Sequence, residues 1–273
     1  MPIELGTIVE AAKLIAAYNE KRSIEASTLA GFARIIQENN DALIRDMSSI
    51  LRQAFSQAKL TQCNNTLQTL STFFQDYAEN PAGIDKIKEC DLQAAYVMDI
   101  LDDEDIAYAG IRSYLAAASL RIGSLLLRSV FEPDAFKNAV SLSKKCIEYV
   151  AKFKPLLIKT TEQRVSPVIT SLYWSEGGEG PGGQVPFCTG VSRVFLDGAE
   201  VFTDTKIISL QRPPGQIGGP EPDRAEAEQK LEIAIIQAVR GKRQELIDKL
   251  LAELPLNEMA ECSKYWKTFA DVH

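Results

Sequence analysis

The feature that most constrains this chain is a change of texture just past Arg164. Up to that point apolar residues recur at helical spacing. Residues 166–222 are instead rich in Pro and Gly and read SPVITSLYWSEGGEGPGGQVPFCTGVSRVFLDGAEVFTDTKIISLQRPPGQIGGPEP, and helical periodicity resumes at Arg224. The pattern predicts a mainly α protein: a multi-helix bundle with long helices and a small antiparallel β insertion near the C-terminal third. Residues 1–165 form the bundle, 166–222 the insertion, and 223–273 the C-terminal helices, expected to pack back on the bundle. A stiff body carrying one glycine-loosened insertion is an architecture for presenting a mobile element.

Within the first segment, Ile24, Phe32, Ile35, Ile36, Leu43, Met47, Ile50, Leu51 and Phe55 mark one long helix from Ser23 to Lys59, or two broken near Asn39-Asn40-Asp41. Leu67, Leu70, Phe73, Phe74 and Tyr77 mark another, stopping at Glu79-Asn80-Pro81. The cleanest pattern runs from Ile106 to Phe131, where two adjoining apolar rows and the small residues Gly110, Ser113, Ala117 and Gly123 predict the central, most buried helix. After Glu132-Pro133-Asp134 a further helix carries Phe136, Val140, Ile147 and Val150 as its core stripe. Pro155 should kink it and Ser166-Pro167 end it.

In the insertion, Val168 to Trp174 is β-rich. Arg193 to Leu196 and Glu200 to Thr203 flank Asp197-Gly198, a strong hairpin signal, and Ile207 to Leu210 predicts a further strand. The run Gly177-Gly178-Glu179-Gly180-Pro181-Gly182-Gly183 reads as a mobile loop without regular structure.

The formal charge of −7 is concentrated. Between Glu79 and Gly110 nine acidic residues stand against Lys86 and Lys88, and from Ile111 to Val165 ten Lys and Arg stand against four Asp and Glu. An acidic helix followed by basic ones is best explained by their lying side by side, with Arg121 and Arg128, seven apart, sharing the side that answers the acidic run. Nucleic-acid binding would call for an unpaired basic surplus and is not expected.

The single histidine is His273. That removes Ser-His-Asp and Cys-His catalysis, HExxH sites and the Glu-x-x-His di-iron bundle. Five scattered cysteines form no CxxC pair, and the helical ones, Cys63, Cys90 and Cys146, read as small buried apolar residues. The glycine run is not a phosphate loop, because Gly183 is followed by Gln184-Val185-Pro186 with neither a lysine nor a helix. No cofactor or metal ligand set emerges. The start lacks the basic and apolar runs of a secretory signal, and no stretch is apolar enough to span a membrane, so a cytoplasmic location is expected.

Three surfaces remain. Aromatics concentrate in the insertion: Tyr173, Trp174, Phe187, Phe195 and Phe202 are the candidate partner-binding residues, either as an adhesive surface or as a small core under the hairpin. Lys137, Lys144, Lys145, Lys152 and Lys159 share a helix face suited to an acidic partner or an anionic membrane surface. The cluster Asp99, Asp102, Asp103, Glu104 and Asp105 would suit magnesium chemistry in a helical enzyme, or it merely places negative charge at the start of the Ile106 helix.

The leading expectation is a non-enzymatic scaffold or interaction protein that binds a protein partner or a second copy of itself through the insertion. A membrane-active protein using the insertion as a tongue is the alternative, since helices, tongue and more helix resemble α-helical pore-forming toxins in outline, without a shared motif.

Overall fold

The computed structural model describes residues 6–21, 54–79, 84–102, 104–180, 183–209 and 223–272. Most of the Ser23 to Lys59 pattern and the whole 212–222 linker lie outside them. Among the described residues the order is α1 (Gly6–Lys21), α2 (Ala54–Glu79), α3 (Ile84–Leu101), α4 (Glu104–Arg128), α5 (Pro133–Arg164), β1 (Ile169–Gly180), β2 (Gly183–Leu196), β3 (Ala199–Ser209), α6 (Arg224–Ala252) and α7 (Leu256–Asp271). The protein is mainly α with one small antiparallel sheet in its C-terminal half. The chain forms two compact units, residues 1–157 with 255–273, and residues 158–254.

The first unit is a helical bundle. Each helix turns a stripe spaced by three and four inward: Leu60, Cys63, Leu67 and Leu70 on α2, and Ile87, Cys90, Ala94, Val97 and Leu101 on α3. Helix α4 is buried almost all round. From Gly110 to Leu127 only Arg112 and Arg121 escape full burial, as the double apolar row requires.

Helix α5 starts with Pro133, whose missing N–H costs nothing in a first turn. It continues past Pro155 to Arg164, where Ser166-Pro167 stops it. Its buried stripe is Ala139, Leu142, Cys146, Tyr149 and Phe153; of the expected stripe Val150 is buried, whereas Phe136, Val140 and Ile147 are only half-buried. The predicted stripe is therefore rotated. The small residues Ala135, Ala139 and Ser143 are buried on this side, and ranking by hydropathy overlooks them. The Tyr149 ring stacks between Tyr114 and Phe153, and its hydroxyl donates to the Leu101 carbonyl at 2.8 Å, satisfying an acceptor at the end of α3.

Helix α7 also belongs to this unit, burying Met259, Cys262, Trp266 and Phe269, with Phe269 edge-on to Phe136. Helix α6 falls in the other unit, with the sheet.

The sheet order is β1-β2-β3, antiparallel throughout. Asp197 and Gly198, at φ 52° and 81°, make the tight turn between β2 and β3 that the Asp-Gly pair predicts. Strand β3 is a single strand from Ala199 to Ser209, so Ile207 to Ser209 is its end and not a further strand, and Leu210 lies outside the described residues. The glycine run also departs from expectation. β1 continues to Gly180 and β2 starts at Gly183, with Glu179 opposite Gln184 and Gly180 opposite Gly183. The pairing register shifts between Glu176 and Glu179, and glycine accommodates such irregularities. Pro186 lies opposite Glu176 of β1, one residue before the first described β2–β3 pair, Phe187 with Ser209.

Candidate interaction site

The sheet has two unlike faces. Residues Leu172 and Trp174 of β1, Cys188, Gly190 and Val194 of β2, and Phe202 and Ile208 of β3 turn toward α6, which answers with Leu231, Ile235 and Val239. Asp223 caps α6, accepting from the backbone amides of Ala225 and Glu226 at 2.9 and 3.4 Å. Gly190 is where the layers approach most closely. A Cβ built there would lie 2.5 Å from Ile235 Cδ1 and 3.0 Å from Leu172 Cδ2. Polar anchors surround this contact: Lys206 Nζ donates to the Ala234 carbonyl at 3.2 Å, and the Trp174 indole N–H donates to Glu228. The Arg224 guanidinium lies 5.3 Å from the Trp174 ring centre.

The hairpin turn is tied to the end of α5. Arg164 forms a two-pronged pair with Asp197, Nε to Oδ1 at 3.1 Å and Nη2 to Oδ2 at 2.8 Å. The Asp197 amide donates to the Arg164 carbonyl, and the Ser166 amide to that of Phe195. From α6, Arg243 Nε donates to the Ser166 carbonyl at 2.8 Å, placing a cation at a helix C-terminus, where it is favoured.

The opposite face of the sheet is turned away from α6. It presents Ile169 and Tyr173 of β1, 51% and 52% exposed, and Val201 and Ile207 of β3, 46% and 64% exposed. Tyr173, Thr189 and Ile207 align across the three strands. Phe187 and Phe195, half-buried, share this side, and Phe195 with Ile169 lines an open hollow whose other walls include Thr160, Arg164 and Asp197.

The five candidate aromatics thus separate. Trp174 and Phe202 serve the small core under the hairpin; Tyr173, Phe187 and Phe195 lie on the outer face. Strand alternation was the signal that separates them, since Tyr173 and Trp174 are neighbours and must point oppositely. Reasoning from aromatics alone missed Ile169, Val201 and Ile207, which are as exposed as Tyr173.

The lysines Lys137, Lys144, Lys145, Lys152 and Lys159 are all exposed on α5. Lys137 pairs at 3.4 Å with the equally exposed Asp134, and Lys152 lies 4.7 Å from the Phe153 ring centre. In the acidic run it is Asp91 that meets the basic helix, contacting Arg121 Nε at 3.1 Å and Arg128 Nη1 at 2.5 Å, while Lys88 pairs with Glu132 at 2.9 Å. Asp99 and Asp102 are exposed; Asp103 and the side chains of Glu104 and Asp105 lie outside the description. No group of three or more His, Cys, Asp or Glu that could hold a metal occurs among the described residues, and no described helix is long and apolar enough to cross a membrane.

One buried charge was not legible. Glu258 of α7 is 4% exposed and interacts electrostatically with Arg112 of α4. Burial pushes the Arg112 guanidinium below its ordinary pKa, and Glu258 partly offsets this. All five cysteines are buried thiols. Desolvation pushes Cys63 up to about 11 and Cys90, Cys146 and Cys262 up to about 12, so they behave as the apolar residues their helical placement suggests.

Comparison with protein-family models, with curated protein sequences and with solved structures finds no match for this chain.

Proposed function

We propose that this protein is a non-enzymatic interaction protein whose three-stranded sheet offers its outer face to a protein partner. The observation that carries this reading is the asymmetry of the sheet. One face is committed to α6, while the other exposes Ile169, Tyr173, Val201 and Ile207 among Ser and Thr residues. Exposed apolar side chains clustered on a rigid element and rimmed by polar groups are the usual composition of a contact surface. The position of the sole histidine at residue 273, away from the sheet in sequence, adds to the case against imidazole chemistry there.

The test is recovery of a partner from source-cell extract by the full chain and by the variants Ile207→Ser and Val201→Ser. The expected result is a protein retained by the wild type and lost with both variants, whose folding the exposed positions leave intact. Equal retention by all three chains would refute the sheet face as the contact. The same apolar residues would also suit a lipid surface. Liposome leakage that depends on Tyr173 and Ile207 would turn the reading from a protein partner to a membrane.

A further inference from the structure

The hollow between the last turn of α5 and the hairpin turn has a volume of about 620 Å³ and lies wholly within the second unit. That volume falls in the range of sites that seat small ligands. Its walls divide by chemistry. Ile169 and Phe195 supply apolar surface, Thr160 and Gln163 supply polar side chains, and Arg164 and Asp197 supply a charged pair.

These walls are held in place. Arg164 reaches both carboxylate oxygens of Asp197, through Nε at 3.1 Å and Nη2 at 2.8 Å, and its side chain is 22% exposed. Such a pair lies in the guanidinium plane, so it fixes the orientation of a flat cationic face. The Phe195 amide donates to Ser166 Oγ at 2.9 Å, and the Phe195 carbonyl accepts from the Ser166 amide at 2.8 Å. Both bonds secure the backbone that carries the Phe195 ring. A wall ordered in advance lowers the entropic cost of binding.

We infer that the hollow seats a tyrosine side chain of the protein partner. The Arg164–Asp197 pair is internally neutralised, so it offers neither a phosphate nor an ammonium group an unanswered charge. A neutral aromatic ring suits the apolar walls, and a guanidinium face is attracted to the negative face of such a ring. The Gln163 amide and the Thr160 hydroxyl can each donate and accept. A phenol hydroxyl also does both, whereas an indole N–H only donates. Aromatic residues with a polar tip are the usual anchors of protein interfaces. Ile169 belongs both to the hollow and to the outer sheet face, so a partner lying on that face reaches the hollow without a break. The inference rests on the reading of that face as the partner surface, and adds the side chain by which the partner is held.

The experiment is titration of the isotope-labelled full chain, followed through its amide NMR shifts, with N-acetyl-tyrosinamide and with its phenylalanine and leucine analogues. The tyrosine amide should shift the amides of Thr160, Gln163, Ile169 and Gly198 saturably at millimolar concentration. The phenylalanine analogue should bind about 3- to 10-fold more weakly, the worth of one hydrogen bond, and the leucine analogue should not saturate. Gln163→Ala and Ile169→Thr, both at exposed positions, should keep the circular dichroism spectrum and each weaken the tyrosine amide several-fold.

Absence of saturable shifts, shifts centred on other residues, equal binding of the tyrosine amide and either analogue, or undiminished binding by both variants would each overturn the proposal. The titration needs no partner, so its outcome is separate from partner recovery by Ile207→Ser and Val201→Ser. Loss of the partner in those variants beside a silent titration would keep the sheet face and refute the tyrosine anchor.

Discussion

Replacing Gly190 by Ala tests how the sheet is seated on α6, and two other glycines calibrate the result. At Gly190 the added methyl would sit 2.5 Å from Ile235 Cδ1, 3.0 Å from Leu172 Cδ2 and 3.3 Å from Leu231 Cδ2. Ile235 and Leu231 are fully buried, so neither can swing into solvent. Overpacking of this kind costs about 1–3 kcal/mol. Restricting the unfolded chain by Gly→Ala returns roughly 0.4–1 kcal/mol. The net loss should be about 1–2 kcal/mol, which for a unit of this size lowers its melting midpoint by roughly 4–8 °C per kcal/mol.

Gly198→Ala meets no atom within 4 Å but occupies φ +81°, so its loss of about 1–2 kcal/mol comes from the backbone alone. Gly241, inside α6, meets nothing and has no such φ, so Gly241→Ala should stabilise by about 0.5–1 kcal/mol. Urea unfolding followed by circular dichroism and by Trp174 fluorescence reads all three. If Gly190→Ala proves as benign as Gly241→Ala, the sheet does not rest on α6 through this contact, and the two-layer account of this unit fails.

Leu120→Ala, at a fully buried site on α4, should cost about 2–5 kcal/mol in chemical denaturation, and a loss below about 1 kcal/mol would mean α4 is not the central helix. Asp91→Asn leaves Arg121 and Arg128 without their shared carboxylate and should cost about 1–3 kcal/mol, less in high salt; an unchanged urea midpoint would show the pair to be idle. Glu258→Leu removes the carboxylate that partly offsets the burial of Arg112 and should cost about 1–3 kcal/mol, while the double variant with Arg112→Met should cost less than the two single losses summed, and a strictly additive double variant would deny the coupling. The native thiols should react slowly with an aromatic disulfide reagent and all together on unfolding. Because folding raises Cys90, Cys146 and Cys262 from 9.0 to about 12, the unfolded chain loses protons first, so stability should fall as pH rises from about 9 toward 12; a flat profile there contradicts their burial.

What was legible in the sequence follows from how local each determinant is. The double apolar row of α4, the Asp197-Gly198 turn and the stop at Ser166-Pro167 are each fixed by a few neighbouring residues, and each stands where the pattern put it, except that α4 ends at Arg128 and leaves Phe131 exposed beyond it. The match of acidic and basic helices was legible as a trend, with Arg121 and Arg128 on the right side, but the carboxylate that meets them is Asp91, well before the dense Asp99 to Asp105 cluster. Three features depend on tertiary context. The glycine run extends both strands because a neighbouring strand supplies hydrogen bonds that its poor propensity cannot forecast. Small Ala and Ser residues turned the α5 stripe. Helices α6 and α7 look alike in sequence, yet α6 supplies Leu231, Ile235 and Val239 to the sheet while α7 buries Trp266 and Phe269 in the helical unit. For the candidate site, the aromatic count drew attention to the right segment, and strand alternation then assigned Tyr173, Phe187 and Phe195 to one face and Trp174 and Phe202 to the other.

The most direct test of the central claim is photo-crosslinking in source-cell extract, with a benzophenone amino acid placed singly at Tyr173, Ile207, Lys144 or Gln237. Tyr173 and Ile207 lie on the outer sheet face, Lys144 on the basic side of α5, and Gln237 on the exposed side of α6. The account predicts that one and the same foreign protein is trapped from Tyr173 and from Ile207, and from neither of the other positions. Trapping from Lys144 or Gln237 with none from Tyr173 and Ile207 would contradict it.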